Sequence, residues 1–357
     1  MDITLLPQNI DAYSLKKLGE KWTNLEAKSD NASFFISWFW IGTWLSSLNE
    51  KAWLLEVTSD SQIIALGIFI ERKVGIWPFN KTQLWLNKTG QDKLDQIWIE
   101  YNDFVIHRDC NKDIKSLIWN KIFEFEKLNC QEIHVDISKH KLPKLFCGRN
   151  KMQTKGFLKL LSKDKQELLA DLSKNTRHQI NRSKRILEQQ GNLSLIASSD
   201  YESRKQMLDQ IGSKHKEQWG ITKWGSGFDN PAFCHFHENL IQQDKTILLR
   251  LLLDNRVIAQ GYYFYYHQTV YFYLSAIEQT TDNRIKHGLV FHTMAMDYFQ
   301  KLGFEQYDFL GGDARYKASL SDYSYPLYSW CLARDNWLTK LESTVRKIRG
   351  YNRRTEL

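Results

Sequence analysis

Ile63-Ile64-Ala65-Leu66-Gly67 recurs as Val257-Ile258-Ala259-Gln260-Gly261, and each copy is embedded in apolar, strand-like sequence. A second pair follows in the same order. Phe125-Glu126-Lys127-Leu128-Asn129 leads to Ile133-His134-Val135-Asp136, and Phe299-Gln300-Lys301-Leu302-Gly303 leads to Tyr307-Asp308-Phe309-Leu310. In both copies an apolar helix ends, and a buried-looking strand begins four residues after the Asn or Gly. Two matches in one order point to duplication. The chain therefore reads as two related α/β halves, the second with a longer middle. A solenoid would repeat at a far shorter period.

Outward from these blocks, the first half predicts helices over residues 15–25 and 38–48. An antiparallel strand pair over 53–58 and 63–72 joins across Ser59-Asp60-Ser61. A short strand is expected at 83–87. A helix is expected over 112–128, with Ile114, Leu117, Ile118, Ile122, Phe125 and Leu128 on one face, then a strand over 132–137. Residues 141–154 carry Pro143 and Gly148 among basic and polar residues and read as a connection. The second half predicts a long helix over 164–190, stopped by Gly191-Asn192. A strand at 193–197 and helices at 201–218 and 231–243 follow. A meander of three strands comes next (246–253, 256–266, 270–276), turning at Asp254-Asn255 and His267-Gln268. A helix over 288–302 and a strand over 306–310 complete it. A meander, then a helix, then a strand is an α+β signature with a mixed sheet.

A chain of 357 residues suits two ordinary domains, and 42% hydrophobic content excludes disorder. The expected division is 1–150, 151–335 and a basic helical tail at 336–357. Thirteen tryptophans, crowded in the first half, read as core packing. Met1 to Gln8 lacks the basic-then-apolar pattern of a secretory signal. The apolar stretch 32–45 is shorter than the roughly 20 residues that span a bilayer. An odd set of five cysteines without CxxC or metal-ligand spacing fits reduced thiols in a cytoplasm and no metal site. The formal charge of +8 favours an anionic partner: a nucleotide cofactor, a nucleic acid or a membrane surface.

Three features could carry chemistry. On the helix ending at Gln190, Lys174, Arg177, His178, Arg182, Lys184 and Arg185 fall within an arc of about 160° at 100° per residue. Glu188 is the only acid near them. Such a face is either solvated or a platform for phosphates. Next, Asn283-Arg284-Ile285-Lys286-His287-Gly288 precedes a helix, whose start offers free N–H groups and a positive dipole end suited to a diphosphate. Finally, Tyr307-Asp308-Phe309-Leu310-Gly311-Gly312-Asp313-Ala314-Arg315-Tyr316-Lys317 gathers an acid, a phenol and an amine behind paired glycines at a strand end. A polar loop and a plain structural turn remain open readings of the last two.

These pieces resemble the GNAT-superfamily acyltransferases of the CelD/FemAB-like type. The matching residues are Leu172-Ser173-Lys174-Asn175-x-Arg177, Ile258-Ala259-x-Gly261, the Gly288 helix start, and Asp308-Phe309-Leu310-Gly311-Gly312-Asp313 followed by Tyr316-Lys317. In the first half Phe34-x-x-Ser37, Thr43-Trp44 and Glu100-Tyr101-Asn102-Asp103-Phe104 also look like this group. The resemblance implies an α+β fold of two tandem GNAT-like domains, each a mixed, mostly antiparallel sheet flanked by helices. It implies transfer of an acyl group from acyl-CoA, with acetyl-CoA first in expectation, to an amine or hydroxyl on a small molecule or glycan. Work in surface polysaccharide biosynthesis at the inner face of the membrane would fit, with peripheral membrane contact. A tRNA-dependent FemAB-like transferase and a non-catalytic scaffold are the alternatives. One departure stands out: Arg284-x-x-His287-Gly288 lacks the glycine spacing of the usual diphosphate loop.

Acyl transfer needs the acceptor deprotonated, the carbonyl oxygen stabilised and the leaving group protonated. Asp313 is the expected acceptor-orienting acid. Lys317 is expected at the carbonyl or a phosphate. Tyr316 and Tyr273 are expected proton donors, and Arg177, Lys184, Arg185, Lys286 and Gly288 are expected donor-binding residues.

Overall fold

The computed structural model describes residues 1–75, 80–111, 113–143, 148–161, 168–220 and 225–334. The basic tail expected at 336–357 lies outside them. The chain divides into two compact units, Met1–Thr154 with Pro326–Leu357, and Lys155–Tyr325.

The first unit runs β1 (Asp2–Gln8), α1 (Ala12–Glu26), α2 (Trp38–Ser46), β2 (Ala52–Ser59), β3 (Gln62–Val74), β4 (Lys81–Leu86), β5 (Val105–Ile106), α3 (Ile114–Glu124) and β6 (Cys130–Ser138). Asp11 caps α1 by accepting from the N–H groups of Tyr13 and Ser14. Leu18, Trp22 and Leu25, spaced by a helical turn, bury its inner face. The β2–β3 hairpin turns at Asp60 and Ser61, both with positive φ, as a two-residue turn between right-twisted strands requires. The core lies between the sheet and α3, where Phe69, Leu84, Phe104, Ile118, Trp119 and Ile133 pack.

β7 (Gly148–Leu160) leads onward. The second unit continues with α4 (Lys174–Gln190), β8 (Leu193–Ala197), α5 (Tyr201–Trp219), α6 (Pro231–Ile241), β9 (Thr246–Leu253), β10 (Arg256–Tyr266), β11 (Thr269–Ile277), α7 (His287–Lys301), β12 (Gln306–Gly311) and α8 (Arg315–Leu320). β13 (Tyr323–Ala333) follows α8. Here the core joins Leu249, Leu251, Tyr263, Phe272 and Phe309 of the sheet to Phe291, Ala295 and Phe299 of α7.

Each unit orders its own strands alike. β1-β2-β3-β4-β6 in the first corresponds to β8-β9-β10-β11-β12 in the second. In each, only the last step is parallel, β4 with β6 and β11 with β12, and a helix makes the crossover. β3, with Ala65-Leu66-Gly67, and β10, with Ala259-Gln260-Gly261, hold equivalent places, as the repeat requires.

The expectation of two domains, each with its own sheet, is corrected. The strands form one continuous thirteen-stranded mixed sheet, in the order β1-β2-β3-β4-β6-β13-β7-β12-β11-β10-β9-β8, with β5 beside β3. The cause is two strands that the sequence did not announce. Residues 141–154 are not merely a connection, because β7 starts at Gly148 and runs past Thr154, and β13 likewise crosses the division. β7 is polar, yet Arg149 reaches buried Glu132 at 3.2 Å and Lys151 reaches Asp136 at 3.1 Å. Those anions make a basic strand acceptable inside the sheet.

The helix expected from 164 also begins later. Ser173 Oγ accepts from Thr176 N–H at 3.1 Å and caps α4 at Lys174, while Leu168 and Leu172 enter the core from a turn. Residues 162–167 lie outside the described residues. Among the described residues no helix is long and apolar enough to cross a membrane.

Candidate active site

β11 and β12 pair over only three residues each: Thr269 with Gln306, Val270 with Tyr307 and Tyr271 with Asp308. Beyond them β11 follows β10 as far as Ile277 opposite Ala259, and β12 follows β7 to Gly311 opposite Gly156. The two parallel strands diverge, and a wedge opens between their facing edges. The start of α7 sits at its mouth. His287 Nδ1 lies 2.8 Å from Glu278 O, just past the end of β11, and a Cβ on Gly288 would come within 3.2 Å of Ile277 Cδ1. Lys286 is the N-cap of α7, and its side chain makes no capping hydrogen bond. The first-turn N–H groups and the helix dipole therefore favour an anion.

Ser183 links α4 to this mouth. Its Oγ lies 3.1 Å from Arg284 O and accepts from Lys286 N–H at 3.0 Å. Arg284 itself is paired with Asp282 at 2.8 Å. On α4, Arg177 donates to Ala170 O, Lys184 lies 3.8 Å from Glu188, and Arg185 is exposed. The α4 contact brings Lys286 and Gly288 together with the middle of the basic helix.

The loop after β12 bends sharply. Leu310 and Gly312 both have positive φ, 62° and 110°, and the second suits glycine. Lys317 Nζ donates to Gly311 O and would lie 3.4 Å from a Cβ on Gly312. Asp313 is exposed, 4.0 Å from the Lys155 ammonium. Tyr316 stacks on His292 of α7, with ring centres 5.2 Å apart and planes at 12°. Burial pushes the Tyr316 hydroxyl up to about 12, so it keeps its proton at neutral pH. Buried His292 contacts Tyr307 Oη at 2.9 Å through Nδ1, and its Nε2 has no partner among the described residues. Burial, aided by the Lys317 charge, pushes this imidazole down to about 3.

Asp313 lies in the turn after β12, and Tyr316 and Lys317 follow in the first turn of α8 rather than on the loop that the sequence suggests. Tyr273 does not join them. Phe272 faces α7, so its neighbour Tyr273 points to the opposite face of the sheet, where its hydroxyl lies 3.3 Å from His237 Nε2. His292 and Ser183 were not legible as site residues. The one available signal for His292 was its place one helical turn beyond Gly288.

The corresponding place in the first unit is filled by its own chain. Asn102 N–H donates to Ile137 O of β6 at 3.1 Å, and its side-chain amide donates to Leu86 O of β4 at 2.7 Å. Asn87 Nδ2 donates to Asn102 Oδ1 and Asp103 O. Asp103 is held by Lys115 and by His140 at 3.1 Å. Another trio in this unit, Glu132, His134 and Cys331, converges within 4.8 Å, the reach of a metal site. Glu132 already accepts from Lys81 at 2.9 Å, Arg149 and Gln83, which makes the trio part of an ion-pair lattice.

Residues 174–318 match the family model described as an acetyltransferase (GNAT) domain. No curated protein matches the sequence. Among solved structures the chain is similar to FemX, with a TM-score of 0.58 and 11% identity over 96% of this chain and 99% of that one. It is also similar to L-PGS from Bacillus licheniformis (TM-score 0.52, 11% identity, 92% and 96% covered). A tandem GNAT protein from the clavulanic acid biosynthesis pathway gives a TM-score of 0.50 at 8% identity, with 93% and 98% covered. The chain has the GNAT-superfamily fold. At these identities the likeness concerns the fold and selects no subtype within it.

Proposed function

We propose that the chain is an acyltransferase whose acyl-CoA donor lies in the wedge between β11 and β12. The acceptor is an amine or hydroxyl of a small molecule or glycan, as surface polysaccharide biosynthesis would provide. The divergence of β11 and β12, with the start of α7 at its mouth, carries this reading. The filled wedge of the first unit supports it by contrast. There a polypeptide segment satisfies the strand edges with amide hydrogen bonds, and the amides of a pantetheine arm could do the same in the second.

In this reading the α7 N–H groups at Gly288 and the Lys286 ammonium hold the diphosphate. Arg177, Lys184 and Arg185 add attraction for the anionic donor. Asp313 orients the acceptor and takes its proton as the nitrogen or oxygen bonds to the thioester carbon. Lys317 stabilises the carbonyl oxygen as charge develops. The C–S bond breaks, and Tyr316, protonated at neutral pH, gives its proton to the leaving thiolate. The bond from Tyr273 to His237 on the opposite face of the sheet leaves that role to Tyr316.

The second reading is a FemAB-like, aminoacyl-tRNA-dependent transferase, favoured by the exposed basic residues of α4. Calorimetric titration separates the two. Coenzyme A should bind one to one with modest salt dependence, whereas tRNA affinity would fall steeply with salt. Binding of neither leaves a non-catalytic scaffold and refutes both.

A further inference from the structure

We propose that the donor's acyl group carries a hydroxyl, as a 2- or 3-hydroxyacyl group does, and that His292 Nε2 accepts its hydrogen. This rests on the wedge being the donor site. From Ile277 at the mouth, β11 runs back five residues to Phe272, roughly 16 Å. An extended pantetheine arm covers that reach. With the diphosphate at the start of α7, the acyl group arrives beside Phe272 and Phe309, the first residues past the last β11–β12 pair. His292 forms the wall there. Its ring centre lies 4.6 Å from that of Phe272 and 5.2 Å from that of Phe309, and Tyr316 stacks on its face.

Hydrogen bonds fix what this ring offers. Tyr307 Oη donates to Tyr263 Oη at 3.2 Å, and a phenol has one hydrogen to give. Tyr307 therefore accepts from His292 Nδ1 at 2.9 Å, which puts the imidazole proton on Nδ1 and leaves Nε2 a bare acceptor. His292 is only 1% exposed, and its Nε2 has no partner among the described residues. A buried acceptor left unmatched is costly, so this one points to a ligand group that matches it. Its direction fits. Tyr307 pairs with Val270, one step behind the apex, so Nδ1 points back under the paired strands. The two imidazole nitrogens point well apart, and Nε2 faces forward, toward the open part of the wedge. Half-buried Tyr316 is the outer wall, carried by the first turn of α8 just behind the Gly311-Gly312 bend. Its ring turns aside to admit the acyl group, a side-chain change common on binding.

The chemistry then narrows the group. A plain alkyl chain leaves Nε2 unmatched. A ketone sets an oxygen lone pair against a nitrogen lone pair. An amine would be protonated and would add a cation where the Lys317 charge already acts on His292. A hydroxyl is small, neutral and has a hydrogen to give. His292 reads it and takes no part in the bond exchange at the thioester.

Competition titrations on the full chain, in which each thioester displaces coenzyme A, test this. Lactoyl-CoA is set against propionyl-CoA, and each enantiomer of 3-hydroxybutyryl-CoA against butyryl-CoA and acetoacetyl-CoA. At least one hydroxyacyl thioester should bind about tenfold tighter than its parent without the hydroxyl, the scale of one hydrogen bond. Acetoacetyl-CoA, with an oxygen but no hydrogen to donate, should bind no tighter than butyryl-CoA. His292→Phe keeps a ring under Tyr316 and should erase the tenfold gain. Equal binding of every hydroxyacyl thioester and its parent would overturn the proposal and leave the donor site standing. So would a gain for acetoacetyl-CoA that matches the hydroxyl's, because a donor such as Lys317 would then be the reader. A gain that survives His292→Phe would overturn it too, and should that variant not fold, the acetoacetyl comparison on the wild type still decides. If coenzyme A itself fails to bind, the donor site falls and the hydroxyl proposal with it.

Discussion

Tyr325 Oη lies 2.9 Å from Asp308 Oδ1 and 3.1 Å from Oδ2, so one hydroxyl hydrogen is shared between both carboxylate oxygens in the middle of β12. Oδ1 also accepts from Leu310 N–H at 2.8 Å, which fixes the positive φ of Leu310 just before the candidate loop. Gly156 makes room for this arrangement, since a Cβ there would lie 2.3 Å from the Tyr325 ring.

Tyr325→Phe keeps the ring and removes the donor. A hydrogen bond to a charged group contributes about 1.5–3 kcal/mol, so unfolding free energy should fall by roughly that amount. Urea denaturation with an unchanged m-value is the check. A loss under about 0.5 kcal/mol would mean that the Asp308 carboxylate finds an equal partner elsewhere.

In the first unit, Asn102→Ala removes a side chain that donates to Leu86 O and accepts from Asn87, both within the buried wedge. Leaving those groups unsatisfied should cost about 2–4 kcal/mol. Under the proposed function coenzyme A should still bind this variant once per chain, in the wedge of the second unit. Two equivalents bound by the wild type would contradict that assignment.

The repeat, the meander and the α7–β12 crossover were legible because each rests on apolar periodicity. Asp254 and His267, both with positive φ, sit where the turns were expected. β7 and β13 were not legible. The alternation in β7 is between basic and polar residues, and its stabilising partners, Glu132 and Asp136, lie far away in sequence. β13 contains Pro326, which argues against a central strand. The proline is tolerated because pairing with β6 begins only at Tyr328, opposite Ser138. Local pattern could place Tyr316 and Lys317 just after β12, though not in a helix, and the face of Tyr273 depends on which neighbour packs α7. That is tertiary information.

Stability should fall in mild acid. Burial pushes His237 and His292 down to about 3, and burial outweighs the Glu132 hydrogen bond to put His134 at about 4, against an ordinary value of 6.5. The unfolded chain binds these protons below pH 6.5 while the folded chain does not, so stability declines as pH drops from 6.5 toward 4. The slope is at most about 1.4 kcal/mol per pH unit for each histidine. Glu132 and Asp136 act in the same direction at lower pH. Burial raises both, but His134, Arg149 and Lys81 bring Glu132, and Lys88 and Lys151 bring Asp136, well below the usual carboxylate range. Their contribution is present above the ordinary values and is lost as pH falls below them. Unfolding free energies at pH 7 and pH 5 should differ measurably, and His237→Gln should shrink the gap. Equal values at the two pH settings would show that these rings are protonated in the folded chain.

Lys317 is the sharpest test of the candidate loop. Asp322 is held by Lys159 at 2.7 Å, and Asp308 accepts from Tyr325. Lys317 donates to Gly311 O, at the wedge side of β12. In the proposed reaction this ammonium meets the carbonyl oxygen that gains charge during transfer. Lys317→Ala should lower kcat/KM by about 10²-fold, the scale of losing one such donor. It should cost about 1 kcal/mol of stability for the bond to Gly311. Activity per folded molecule and melting temperature, measured on one preparation, separate the roles. A variant that melts many degrees lower yet turns over normally would make Lys317 a structural clamp on the Gly311-Gly312 bend, and acyl transfer would then need another group at the carbonyl.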